Sequence, residues 1–364
     1  MIGPFAQVSP SDWADWKWQL RHRLRTAEAL DQIVPLTDEE RRACQITADR
    51  FRLGVTPYYA SLIDPDDPAC PIRRQAIPTC AEAHIHPDER PDPLAEERDM
   101  PVPGLTRRYP DRVLLYTTHT CAVYCRHCTR RRKVSDPGSA PPRQHLDAAL
   151  DWIAEHPEVR DVILSGGDPL SLPDRTLDRL LGRLSAIPHV QIVRIGTRNP
   201  TSLPQRITPA LCEVFRKYPP LYLMTHFNHA RECTPEAARA AARLAEAGCV
   251  MANQAVLLRG VNDSPEAQIA LSHALLAMRI RPYRLYQCDL SEGTSHFRTP
   301  LRRGIEILDA MRGRTSGLSM PELIVDLPDG HGKVPIHPGH VEERAEDHWI
   351  LRSYQGERVV VPEV

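Results

Sequence analysis

From Val159 onward, apolar β-branched runs recur about every 30 residues, the length of one strand–helix unit, and this rhythm restricts the possible folds more than any other feature. Counting an earlier run, strands are predicted to start near Arg112, Val159, Val190, Leu221, Val250, Arg281 and Leu323. The spacing predicts helices over 146–155, 177–186, 209–217, 235–247, 265–278 and 300–311. Thr208-Pro209, Thr234-Pro235 and Ser264-Pro265 each put a capping side chain before a proline at the first helical position. Strands alternating with helices imply a parallel sheet covered by helices. Six or so units suit an open barrel, although a doubly wound sheet would alternate equally well.

The flanks read differently. Ser11 is expected to cap a helix over 12–33, and Thr37-Asp-Glu-Glu40 is a capping box for a second helix reaching about Arg52. Prolines at 65, 68, 71, 78, 87, 91, 93, 101 and 103 predict an extended connector over 64–103, lying across the rest of the protein. The tail 349–361 reads as a hairpin. The divisions expected are 1–103 for helices and connector, 104–316 for the barrel and 317–364 for a C-terminal segment.

With 364 residues, 41% of them hydrophobic and 26% charged, the chain has ordinary globular composition. Its net charge of -1 argues against nucleic acid. No apolar run approaches the ~20 residues of a membrane span. No basic region followed by an apolar stretch opens the chain, so no signal peptide is expected. Seven scattered cysteines (44, 70, 80, 212, 233, 249 and 288) read as buried thiols, and a reducing cytoplasm fits them.

In parallel α/β folds ligands collect beyond the carboxyl ends of the strands. The polar clusters fall at the predicted ends: Ser165-Gly166-Gly167-Asp168, Gly196-Thr-Arg198, Thr225-His226-Phe-Asn-His229, Asn253-Gln254 and Gln287-Cys-Asp289. Taken singly, a Gly-Gly-Asp is more often a turn, and a lone His226 a satisfied core histidine. After the first strand comes Cys121-Ala-Val-Tyr-Cys125-Arg-His-Cys128-Thr-Arg130-Arg-Arg-Lys133. Thiolates bind iron–sulfur clusters, and three thiolates on a cubane leave one iron open to another ligand. Zinc on these cysteines with His127 is chemically acceptable, but no second ligand pair follows. A lysine in a glycine-rich turn, as in Asp326-Leu-Pro-Asp-Gly330-His-Gly332-Lys333, can form a Schiff base with pyridoxal phosphate (PLP). Alone it is better read as an exposed turn lysine.

Together, Cys125-Arg-His-Cys128-Thr-Arg-Arg, Arg108-Tyr-Pro-Asp-Arg112, Leu203-Pro-Gln-Arg-Ile-Thr208, Leu257-Leu-Arg-Gly-Val-Asn-Asp263, His296-Phe-Arg-Thr-Pro300 and the Lys333 segment resemble the radical S-adenosylmethionine (SAM) enzymes, and among them the PLP-dependent lysine 2,3-aminomutase family. The resemblance implies a partial (β/α)6 TIM-like barrel with an N-terminal helical extension and a C-terminal PLP-binding segment. It implies a [4Fe–4S] cluster on Cys121, Cys125 and Cys128, with Gly166, Gly167, Asp168, His226 and Gln254 holding SAM. PLP falls to Lys333, Arg108 and Arg112. The substrate carboxylate falls to Arg130, and the distal ammonium of lysine to Asp289 and Asp326. The activity implied is conversion of L-lysine to β-lysine by 1,2-amino migration, in a homo-oligomer (dimer) fed by an electron donor such as flavodoxin or ferredoxin. Longer members carry a C-terminal cysteine cluster for zinc, whereas Cys288 is the last cysteine here, so that site is expected to be absent. The alternatives are an aminomutase for another amino acid, a supplier of β-lysine for elongation factor P, or, in a different class, a zinc-stabilised RNA-binding module using Arg130–Lys133.

Overall fold

The structure is a computed structural model that describes residues 3–134, 136–345 and 348–362. A first strand, β1 (Leu105–Tyr109), runs antiparallel to β2 (Arg112–Thr118). Six parallel strands follow: β3 (Asp161–Gly166), β4 (Ile192–Thr197), β5 (Leu221–Thr225), β6 (Val250–Leu257), β7 (Arg281–Gln287) and β8 (Glu322–Leu327). Helices Arg143–Ala154, Asp174–Ser185, Pro209–Arg216, Pro235–Glu246, Pro265–Ala277 and Leu301–Met311 fill the crossovers. A short β9 (Gly332–Pro335) turns back antiparallel on β8. Strand order follows chain order from β1 to β9. A doubly wound sheet reverses its order at a switch point. With no reversal, crossovers of one hand put every helix on the same face, and the sheet curls into an open barrel.

Alternation along each strand separates helix-facing from lumen-facing residues. On β6, Met251, Ala255 and Leu257 join the main core with Leu164, Ile195, Leu223 and Leu285. Gln254 therefore faces the lumen. It lies inside β6 and not at its end as the sequence suggested, because β6 runs on to Leu257. A second core, built on Leu30, Val55, Tyr59 and Ile72, belongs to the N-terminal extension and includes Val123 of the cysteine loop.

That extension departs from expectation. The predicted 12–33 helix is three short ones, Pro10–Ala14, Trp16–Arg21 and Ala27–Asp31, and Ser9, not Ser11, caps the first. Asp15 and Thr26 accept from Lys17 N and Ala29 N, so each polar side chain restarts the helix instead of continuing it. The second helix, Asp38–Ile46, keeps its capping box but stops short of Arg52. The connector is not wholly extended. It carries the helix Pro71–Ala76 and a 3-10 turn, Cys80–Ala83. At the other end, β10 (Val341–Arg344), β11 (His348–Arg352) and β12 (Arg358–Pro362) form a separate antiparallel sheet, with β11 and β12 making the predicted hairpin.

Candidate active site

The cysteine loop follows β2 directly and is anchored from three sides. Gly167 N and Asp168 N donate to Thr118 O and Thr120 O, 2.5 and 2.9 Å away. A Cβ at Gly166, which has φ 121°, would stand 2.6 Å from Thr118 O, and one at Gly167 2.5 Å from Thr120 O. Glycine is needed here for the approach of the loop's own backbone. Arg126, fully buried, is ion-paired with Glu82 at 2.6 Å and donates to Phe51 O and Arg52 O. Arg131 meets the same carboxylate at 2.6 Å. Burial raises the pKa of Glu82, but the two guanidiniums outweigh it and hold the carboxylate below its usual range.

Glu82 is the first of three buried glutamates that the connector lowers onto the barrel. Glu89 accepts from Gly293 N and Thr294 N and pairs with Arg298 at 3.2 Å. Glu96 takes the Nε and Nη2 of Arg130 at 2.6–3.0 Å, while Arg130 Nη1 donates to Ser165 Oγ at 3.1 Å. The fork expected to seize a substrate carboxylate is thus already half engaged by a protein carboxylate.

The thiols of Cys121, Cys125 and Cys128 lie near enough to perturb one another. Burial, followed by the Cys125 charge, pushes Cys128 up to about 11. Burial raises Cys121 most, with Asp168 and both other cysteines adding to it. A set that repels its own ionisation suits a positively charged iron centre, which deprotonates the thiols it binds. The loop's thiols, with the Cys125 charge raising both Cys121 and Cys128, therefore fit the cluster. His127 does not join them. Its Nε2 lies 3.3 Å from both His226 Nε2 and Asn228 Nδ2. Burial also drives His226 down to about 3, leaving it neutral.

Asp168 follows the two glycines at the end of β3. It is 5% exposed, and its carboxylate accepts from Thr197 Oγ1 at 2.8 Å, Arg198 N at 2.7 Å and Leu170 N at 3.0 Å. It ties the ends of β3 and β4 together, and its oxygens are committed to protein donors.

A second cluster closes the barrel where β8 meets β9. Lys333 is not in the glycine turn itself but on β9, paired in register with Asp326, and its ammonium is hydrogen-bonded to the Asp326 carboxylate. Arg108 Nη1 lies 3.7 Å from Asp326 Oδ1, a buried atom without a hydrogen-bond partner. Lys333 N donates to Tyr109 Oη at 2.9 Å. Arg112, at the amino end of β2, holds its guanidinium 4.1 Å over the ring of the same Tyr109. Asp289, just past β7, accepts from Thr129 Oγ1 at 2.6 Å. Its pKa rises to about 6, chiefly through burial, with Asp326 adding to the shift. Two carboxylates near enough to repel, an unfilled acceptor, a primary amine and an arginine suit a phosphorylated aldehyde and a cationic substrate.

Sequence reasoning singled out the cysteines, Lys333 and the two aspartates as candidates. It missed Glu82, Glu89, Glu96 and Tyr109. The arginines of the cysteine loop were the available signal, because a buried guanidinium requires a carboxylate from elsewhere.

An open parallel barrel with a three-cysteine loop directly after β2 is the arrangement of a radical SAM protein, and the Radical SAM superfamily model matches residues 115–271. A second model, described as Lysine-2,3-aminomutase, matches residues 308–364. The L-lysine 2,3-aminomutase of Clostridium subterminale is 51% identical over 97% of this chain and 85% of its own length. That of Bacillus subtilis is 47% identical over 98% and 76%. The glutamate 2,3-aminomutase of Clostridioides difficile is 41% identical over 95% and 82%. The chain belongs to the lysine 2,3-aminomutase family.

Proposed function

We propose that this protein converts L-lysine to β-lysine, using a [4Fe–4S] cluster, SAM and PLP. The observation that carries the choice of lysine is the Asp289–Asp326 pair. Burial and then the Asp326 charge oppose ionisation of Asp289, and a bound cation offsets that cost. Bound PLP supplies an aldehyde that condenses with amines and a ring that spreads an unpaired electron. Lys333 is the amine set to engage it, and Arg108 is the cation near its site. Lys333 would hold PLP through its amine, and Asp326, the carboxylate that meets that amine here, would be placed to receive the distal ammonium of lysine. Arg130, poised between Glu96 and Ser165, anchors the other end through its remaining N–H groups. A glutamate side chain would add a third negative charge beside this pair, so glutamate is the disfavoured reading.

On the SAM side, Gly166, Gly167 and Asp168 shape the edge of the cavity through their backbone, and Gln254 faces it from the lumen side of β6. His226 acts as a neutral hydrogen-bonding group beside His127. Reducing equivalents come from a low-potential donor such as flavodoxin or ferredoxin. Among the described residues no helix is long and apolar enough to cross a membrane. The protein acts as a homo-oligomer, most simply a dimer.

The test is anaerobic reconstitution with iron, sulfide and PLP, followed by amino-acid analysis with lysine, arginine, ornithine and glutamate supplied separately. β-Lysine formed from lysine, with little turnover of the others, is expected. Faster turnover of glutamate would reject the substrate and leave the class standing.

A further inference from the structure

Behind the cysteine loop lies a buried polar network that the amino migration does not use. Its centre is Arg198, which follows β4. Arg198 Nη1 donates to Cys125 Sγ at 2.6 Å. Nη2 donates to Gln75 Oε1 at 2.6 Å, Glu232 Oε1 at 2.7 Å and Tyr59 Oη at 2.8 Å. Glu232 is fully buried and also accepts from Asn228 N, His229 N and Tyr59 Oη. The guanidinium is only 9% exposed, and its Nε is buried without a hydrogen-bond partner. A cation so fixed has one sulfur acceptor, Cys125, and a spare donor beside it.

We infer that Arg198 is a positioning residue that sets the reduction potential of the cluster through its charged N–H···S bond to Cys125. In the loaded protein that sulfur would be an iron ligand. Hydrogen bonds to cluster sulfurs and local charge are among the determinants of potential. Reduction adds one electron to the cluster and no proton, and that extra negative charge falls on iron and sulfur. A donor held on a ligating sulfur stabilises the reduced state more than the oxidised one, so it makes the cluster easier to reduce. Arg198 is well held for this, because Glu232, Gln75 and Tyr59 fix its other edge and prevent it from swinging away. The inference rests on the cluster assignment above.

Iron and sulfide content and the spectrum of the reduced wild type test that assignment; a wild type without a four-iron cluster would overturn it. Arg198 is tested separately. The double variant Arg198→Gln/Glu232→Gln removes one charge of each sign, leaves no orphaned carboxylate and abolishes the charged donor. Potentiometric titration without SAM, with dithionite as reductant and electron paramagnetic resonance as readout, should show a more negative midpoint at full iron content. The expected reduced-to-oxidised ratio at a fixed potential falls about tenfold, equivalent to ~59 mV for one electron. An unchanged midpoint in a fully loaded double variant overturns the inference. Should that variant fail to load, wild-type protein labelled with 15N-arginine decides: a nitrogen hyperfine coupling on the reduced cluster supports the bond, and its absence overturns it.

Discussion

Asp289 and Asp326 are both aspartates at strand ends, but they meet different partners. Asp326 already has the Lys333 ammonium, whereas Asp289 accepts from the neutral hydroxyl of Thr129. Burial holds the Asp289 pKa near 6, against an ordinary 3.8. Its charged form is the one that attracts an ammonium, so that attraction is present above about pH 6 and fades as pH falls through it. The KM for lysine should therefore rise on acidification through that range, and Asp289→Asn should remove the dependence. Steady-state kinetics against pH decide this, and a flat wild-type KM would count against it. Asp326→Asn should act differently. It strips Lys333 of its counter-ion as well as the substrate of its partner, so PLP retention, followed by absorbance, should fall together with lysine turnover. Reductive SAM cleavage should survive in both variants. The sequence marks both residues as acids at strand ends, but only the structure distinguishes them, because register across β8 and β9 brings Lys333 to Asp326.

At the scale of elements, the connector acts as a clamp. Glu82→Ala would leave Arg126 and Arg131 buried without their carboxylate, and loss of one partner of a buried pair costs roughly 3–5 kcal/mol. A lower melting temperature and reduced iron uptake are expected together, measured by thermal denaturation and iron analysis. A variant that melts like wild type would show that the loop stands without the clamp. The parallel strands were legible because β-branched runs alternate with helical stretches, three of which open on the caps Thr208, Thr234 and Ser264, and the observed starts of β2, β5, β6 and β7 coincide with the reading. β1 and β9 were not legible. Each is short, each runs antiparallel, and what fixes them is pairing to a strand already in the sheet. The connector misled for a related reason. Its prolines signalled extension, yet Pro71 opens a helix and Thr79 with Glu82 forms a capping box. Nothing local to 82, 89 and 96 announces burial, since the arginines and backbone amides that bury those glutamates lie far along the chain.

For the whole molecule, the C-terminal sheet bears on assembly. β12 is an edge strand, and Val359, Val360 and Val361 are 46%, 61% and 40% exposed. An exposed apolar edge invites pairing with another chain. Val360→Lys should shift a dimer towards monomer in light scattering while leaving the melting temperature of the barrel unchanged; a wild type that is monomeric at all concentrations would remove the premise. The glutamate clamp also has a consequence during synthesis. Glu96 finds Arg130 within 34 residues and Glu82 finds Arg126 within 44, but the backbone amides that receive Glu89 are 204 and 205 residues downstream. A chain emerging from the ribosome can fasten both ends of the strap early, while its middle stays unfastened until Thr294 has been made. Closing so distant a contact comes late in folding, so the middle of the strap is secured only when most of the barrel's wall is available to receive it.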